Sequence, residues 1–224
     1  MLMYLDNHVS IGPNSRETKR KWGLNDNLAR EILELHTLGV NGGYTQKDAT
    51  EFAKVLTGWS IKGRNQKVSA GGSKHGFRFK PRIHEPGQKS ILGRTYIGAG
   101  LIEGLDVLTF LAGHPAPANF IATKLVRHFV SDNPPASAIK KIERVFIASK
   151  GDLAKVSHAL IDLEEAWQEP LSKTKQPYEL MISTFREIGD NEPNRRTIIK
   201  ILKELRQFPF QAKSPTGWSY LTQD

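Results

Sequence analysis

Apolar residues recur at the three- and four-residue spacing of amphipathic helices along most of this chain. From Leu24 to Val40, the residues Leu24, Leu28, Ile32, Leu35 and Leu38 form one stripe at about 100° per residue. Ala29, Leu33 and Val40 widen it. The spacing predicts a helix capped by Asn25 or Asp26 and stopped by Gly39, since glycine accepts the left-handed conformation that ends many helices. Thr45 and Asp48 fit a capping box that opens a second helix running to Gly58-Trp59. Further helices are predicted over 103–111 and 115–130, with Pro115 suited to a first turn. After the break at Asp132-Asn133-Pro134-Pro135, another helix places Ile139, Ile142, Val145 and Phe146 on one face. Asp152 caps a helix to Trp167, and two more span 178–188 and 195–207.

Between residues 60 and 98 this pattern lapses. Gly71-Gly72-Ser73 and Gly76 break any helix, while Phe77-Arg78-Phe79, Ser90-Ile91-Leu92 and Arg94-Thr95-Tyr96-Ile97 have hairpin character. The expected fold is therefore mainly all-α, a multi-helix orthogonal bundle with a small basic β-hairpin or loop excursion around 60–98. The chain reads as a single helical domain over 1–224, with sub-layers 1–131 and 132–224 divided near Pro134-Pro135.

Charge sharpens the picture of the excursion. The 224 residues carry a formal +9. Between Ser60 and Thr95, nine Lys and Arg face a single acid, Glu85, so almost the whole excess lies in one segment. Lys74, Arg78, Lys80, Arg82 and Lys89 are the candidate contacts for an anion or partner, against the plainer reading of a solvated basic loop. Phe77, Phe79 and Tyr96 lie among these cations, but no recognised nucleic-acid motif accompanies them. No apolar run reaches the roughly 20 residues that span a bilayer, and the first residues do not read as a signal peptide. The absence of cysteine excludes disulfides and thiolate metal sites and leaves the compartment open.

The first long helix holds ionisable groups within its apolar arc. At regular helical spacing His36 falls well inside the arc and Glu31 near its edge, while Asp26, Arg30 and Glu34 share the polar side. A buried carboxylate needs a fixed partner, because unpaired burial costs several kcal/mol. Glu31 and His36 sit about 140° apart on one helix and cannot together chelate one ion. Any metal site must therefore draw on other segments, and His36, Asp48, His84 and His114 are its candidates. The catalytic candidates are Glu31, His36, Asp48 and His84, of which Asp48 is also explained by capping and His36 by a core role. His84-Glu85-Pro86-Gly87-Gln88-Lys89 is a tight turn bearing a histidine, an acid and a base. Glycine-rich stretches at 71–75, 87–90 and 98–104 miss the phosphate-loop, nucleophile-elbow and dinucleotide patterns, so no cofactor is implied.

Several stretches carry a family resemblance. They are Tyr4-Leu5-Asp6-Asn7, Gly12-Pro13-Asn14-Ser15, the run from Leu24 to Tyr44, Leu56-Thr57-Gly58-Trp59 and His84 to Lys89. With them go Leu92-Gly93, His114-Pro115, Lys124-Leu125, Phe129-Val130-Ser131-Asp132 and Pro215-Thr216-Gly217-Trp218. In this order they resemble the bacterial family called domain of unknown function 1800. Where that family has Asp this chain has Glu85, which keeps the charge and changes its reach. The resemblance is to the family's C-terminal half, which makes a truncated product one reading. It implies mostly helical structure and, in many relatives, export. Relatives lie beside genes for a second exported family of the alkaline-phosphatase type, which implies a partner protein or shared pathway. No activity is implied.

Three functions fit these observations. The first is a binding or accessory protein that meets a protein partner or anionic polymer through its basic segment. The second is an enzyme, hydrolytic or metal-assisted, built around Glu31, His36, Asp48 and His84. The third is a fragment without independent function.

Overall fold

The computed structural model describes residues 1–17, 23–62, 76–168, 173–209, 211 and 218. The fold is mainly helical, with two small antiparallel sheets of two strands each among the described residues. It divides into two compact units, one of residues 1–121 and 146–152, the other of residues 122–145 and 153–224.

The first unit begins with a 3-10 turn, Asn7–Val9, and continues with α1 (Asn27–Glu31). Helix α1 passes directly into a π-helical segment, Ile32–Thr37, in which Leu38 N donates to Leu33 O at 2.9 Å. Helix α2 (Gln46–Leu56) follows. Strand β1 (Trp59–Ile61) pairs with β2 (Phe77–Phe79), and β3 (Lys89–Ile91) pairs with β4 (Arg94–Tyr96). Helix α3 (Leu101–Gly113) completes the core of this unit, with α4 (Ala116–Phe129) starting after His114-Pro115. Leu28, Ala29 and Leu33 from the first helix, Phe52, Ala53 and Leu56 from α2, Ile91, and Val107 and Leu111 from α3 are buried together. Helix α3 lies close to β1: a Cβ on Gly104 would stand 2.4 Å from Trp59 Cζ2, so the indole occupies the space of a side chain.

The π segment overturns one expectation. His36 is exposed, not inside the apolar arc. An i→i+5 turn advances less than 100° per residue, so the buried stripe continues from Leu33 to Leu38 and His36 rotates out of it. Asp26, Arg30 and Glu34 do form the polar side, with Arg30 2.9 Å from Asp26 and 3.7 Å from Glu34.

The predicted capping box is present. Thr45 Oγ1 accepts from Asp48 N at 3.2 Å, and Asp48 Oδ2 accepts from Thr45 N at 2.7 Å. Asp48 Oδ1 also accepts from Leu92 N at 2.7 Å. Leu92 lies at φ 50° and Gly93 at φ 74°, the left-handed pair of a two-residue hairpin turn between β3 and β4. A bulky residue at positive φ is strained. The carboxylate that starts α2 thus also holds the tip of the hairpin.

Helix α5 (Ala136–Ala148), of which residues 136–145 belong to the second unit, enters after Pro134-Pro135, and α6 (Leu153–Ile161) and the short α7 (Glu165–Gln168) follow in that unit. The helix predicted over 152–167 is thus divided, with Leu163 buried at the break. Helices α8 (Pro177–Glu187) and α9 (Arg195–Glu204) pack as a pair and bury Met181 and Leu202. Gln207 Oε1 accepts from Tyr178 N at 2.7 Å, closing the end of α9 onto the start of α8. Among the described residues no helix is long and apolar enough to cross a membrane.

Burial raises the Asp48 carboxyl, but the hydrogen bonds from Thr45 and Leu92 outweigh it and hold the group below its ordinary value. A depressed folded value means that the carboxylate stabilises the fold above the ordinary carboxylate range and that this contribution is lost as pH falls through the folded value. Asp48→Ala is expected to cost about 1–3 kcal/mol at pH 7 in urea unfolding, with the difference from wild type shrinking on acidification below about pH 4. A difference independent of pH would contradict this role.

Candidate functional site

Five separated stretches meet in one buried polar network. Asn7, in the 3-10 turn, donates through Nδ2 to Leu56 O at 3.1 Å and to Trp59 O at 3.0 Å. These two carbonyls flank the end of α2 and the start of β1, so a single amide fixes the turn between them. Asn14 donates from its backbone N to Glu85 Oε2 at 2.8 Å and from Nδ2 to Glu85 Oε1 at 2.7 Å. Gly12, beside it, gives its N–H to Ile83 O at 2.9 Å, and a Cβ there would stand 2.6 Å from Glu85 Cα. Only glycine lets the two strands of chain approach so closely.

Thr57, just past α2, joins this turn to the helix. Its Oγ1 donates to Lys54 O at 2.6 Å and accepts from Glu85 N at 2.8 Å. Thr57 O accepts from His84 Nδ1 at 2.8 Å. A carbonyl only accepts, so Nδ1 carries the hydrogen and Nε2 is the ring atom facing Glu103, 3.4 Å from its Oε2. Glu103 lies in the first turn of α3, where the helix dipole favours an anion. Lys89, the first residue of β3, closes the network: Nζ donates to Glu103 Oε2 at 3.0 Å and to Glu85 O at 2.6 Å. The Lys89 and Glu103 side chains are each 1% exposed, and that of His84 8%.

A histidine against a carboxylate beside a lysine has the composition of a proton-transfer site. Here, however, each group is buried and occupied by another part of the fold. His84 Nε2 and Glu103 Oε1 alone in this trio lack a hydrogen-bond partner among the described residues.

The sequence-predicted residues distribute unevenly. His84 belongs to the network. Asp48 caps α2 and tethers Leu92. Glu31 is half-buried, and His36 is exposed. Among the described residues no hydrogen bond or ion pair joins any two of Glu31, His36, Asp48 and His84. His114 Nδ1 accepts from Ala116 N at 3.2 Å, a cap on the entrance to α4. Among the described residues, no group of three or more His, Asp or Glu is placed to hold a metal ion.

The anion-contact candidates need one correction. Lys89 is not at the surface: its charge is spent on Glu103, and exposing it would leave that carboxylate buried and unpaired. Lys74 lies outside the described residues. Arg78, Lys80 and Arg82 do come together, lining a cleft of about 400 Å³ with Phe79, Pro81, Ile83 and Glu17. Arg78 and Arg82 are exposed. Ile83 of the cleft's lining immediately precedes His84 in sequence, so the surface cations stand on the segment that the buried network anchors.

Sequence reasoning passed over Asn7, Asn14, Thr57 and Glu103. Glu103 had a signal: it shares a four-residue spacing with Val107 and Leu111 on the buried face of α3. The asparagines had none, because their value depends on carbonyls and a carboxylate 49 to 71 residues away.

Breaking a buried ion pair from one side leaves a charge uncompensated, at a cost of about 3–5 kcal/mol, whereas replacing both partners is often neutral. Lys89→Met and Glu103→Leu singly are therefore expected to lose about that much in urea unfolding, and the double variant to recover most of it. A double variant as unstable as the summed singles would show that the pair is not the unit.

No curated protein and no solved structure matches the chain. The family described as a protein of unknown function, DUF1800, matches it over residues 1–224. That match spans every segment of the buried network, and the chain belongs to the DUF1800 family.

Proposed function

We propose that this chain is a binding or accessory protein that captures an anionic polymer or the acidic surface of a partner through Arg78, Lys80 and Arg82. The observation that carries this reading is the cleft itself, where three cations within five residues share one wall. Arg82 has no ion pair among the described residues, while Arg78 and Lys80 already take part in interactions of their own. Among the described residues Glu17 is the one acid on the cleft's lining, and it limits the positive field there. The wall is held rigid from behind, since Lys80 N donates to Gly58 O at 2.8 Å and Ile83 O accepts from Gly12. A fixed array of cations loses less entropy on binding than a flexible basic loop does.

The enzymatic reading has weaker support. Its four candidate residues do not interact, and the ionisable groups that do interact are enclosed and mutually satisfied for the most part.

Binding through three cations to a polyanion carries a measurable salt signature. The charge-neutral triple variant Arg78→Gln, Lys80→Gln, Arg82→Gln should leave a polyphosphate column at lower salt than wild type. The slope of log affinity against log salt should fall by about 2 to 3. Unchanged retention with an intact fold would overturn the assignment.

A further inference from the structure

Among the described residues, strand β2 has an open outer edge. In the β1–β2 pair, Lys80 N donates to Gly58 O and Lys62 N to Gly76 O. With the register Trp59↔Phe79, Ser60↔Arg78 and Ile61↔Phe77, hydrogen-bonded and non-bonded pairs alternate along the ladder. Arg78 therefore bonds to Ser60, and the N–H and C=O groups of Phe77 and Phe79 point away from β1. No backbone or side-chain group among the described residues meets them. The outer edge of β1 differs, for Asn7 Nδ2 already occupies Trp59 O at 3.0 Å.

The chemistry of the open edge selects its partner. Arg78 and Lys80 lie two residues apart and share one side of the strand, while Phe77 and Phe79 share the other. A second copy of β2 would set cations against cations, which is unfavourable. An extended segment with acids at alternate positions would set carboxylates opposite Arg78 and Lys80. Its intervening apolar residues would lie with Phe77 and Phe79. Arg82, which also lines the cleft, would meet a further acid.

We infer that β2 accepts an extended, alternately acidic and apolar segment of a protein partner as an added antiparallel strand. This rests on reading the cationic cleft as the binding site and gives that site an occupant. Main-chain bonds to Phe77 and Phe79 would supply affinity, and the cations register and selectivity.

The test uses the full chain and a synthetic peptide alternating Glu and Val. Two companions accompany it: the same peptide N-methylated on the edge that would face β2, and inorganic polyphosphate. The plain peptide should bind, slow hydrogen exchange at the Phe77 and Phe79 amides, and lose about tenfold in affinity on N-methylation. Phe77→Pro removes an outward N–H without touching the β1–β2 ladder, and Phe77→Ala retains that N–H. Only the proline variant should weaken the peptide beyond the loss of the ring, with both variants keeping polyphosphate binding. Equal binding of the plain and methylated peptides would overturn strand addition and leave the cationic cleft standing. Capture of polyphosphate without the peptide would do the same. Failure of every anion would remove both readings.

Discussion

A lysine and a glutamate sealed from water 3.0 Å apart set the terms for the first unit. Moving two such charges out of water costs several kcal/mol each, and their attraction repays it only in good geometry with further hydrogen bonds. Lys89 finds the second bond at Glu85 O and Glu103 the favourable end of a 13-residue helix. The start of β3 is therefore bound to the start of α3. The turn that carries His84 and Glu85 has no freedom to drift. Asn14 and Thr57 then hold the Glu85 side chain and backbone, and through them the N-terminal segment and the end of α2 join the same arrangement.

This arrangement separates two kinds of charge that lie close together in sequence. Glu85, Lys89 and Glu103 are consumed inside. On the same segment Arg78 and Arg82 are exposed and Lys80 is half-buried, beside a strand whose outer edge is open among the described residues. The interior charges fix position, and the exterior ones line a cleft. A basic run that reads uniformly in the sequence is thus divided by burial, with Lys89 enclosed against Glu103 and Arg78 and Arg82 exposed.

The helices were legible where periodicity was regular. The capping box of α2, the polar side of Asp26, Arg30 and Glu34, and the pairing of Ser90-Ile91 with Arg94-Thr95 follow from local spacing and are found. His36 was misplaced because a switch from i→i+4 to i→i+5 bonding leaves no mark in composition, yet it rotates every later residue. The helix over 152–167 divides at residues 162–164, although Leu163 keeps the buried spacing of Val156 and Leu160. For the site, His84, Arg78, Lys80 and Arg82 stood out by type and clustering. Lys89 looked like one more cation, since nothing local reveals that its partner lies 14 residues away on a different element. Asn7 and Asn14 act on main-chain and carboxylate groups that only the folded chain brings near.

If the buried network is the fixed point of the first unit, the amide of Glu85 that donates to Thr57 Oγ1 opens only with global unfolding. Native-state hydrogen exchange measures this directly. The Glu85 amide should exchange with the same free energy and denaturant dependence as amides in the middle of α2. Exchange by a small local opening, insensitive to denaturant, would contradict the account.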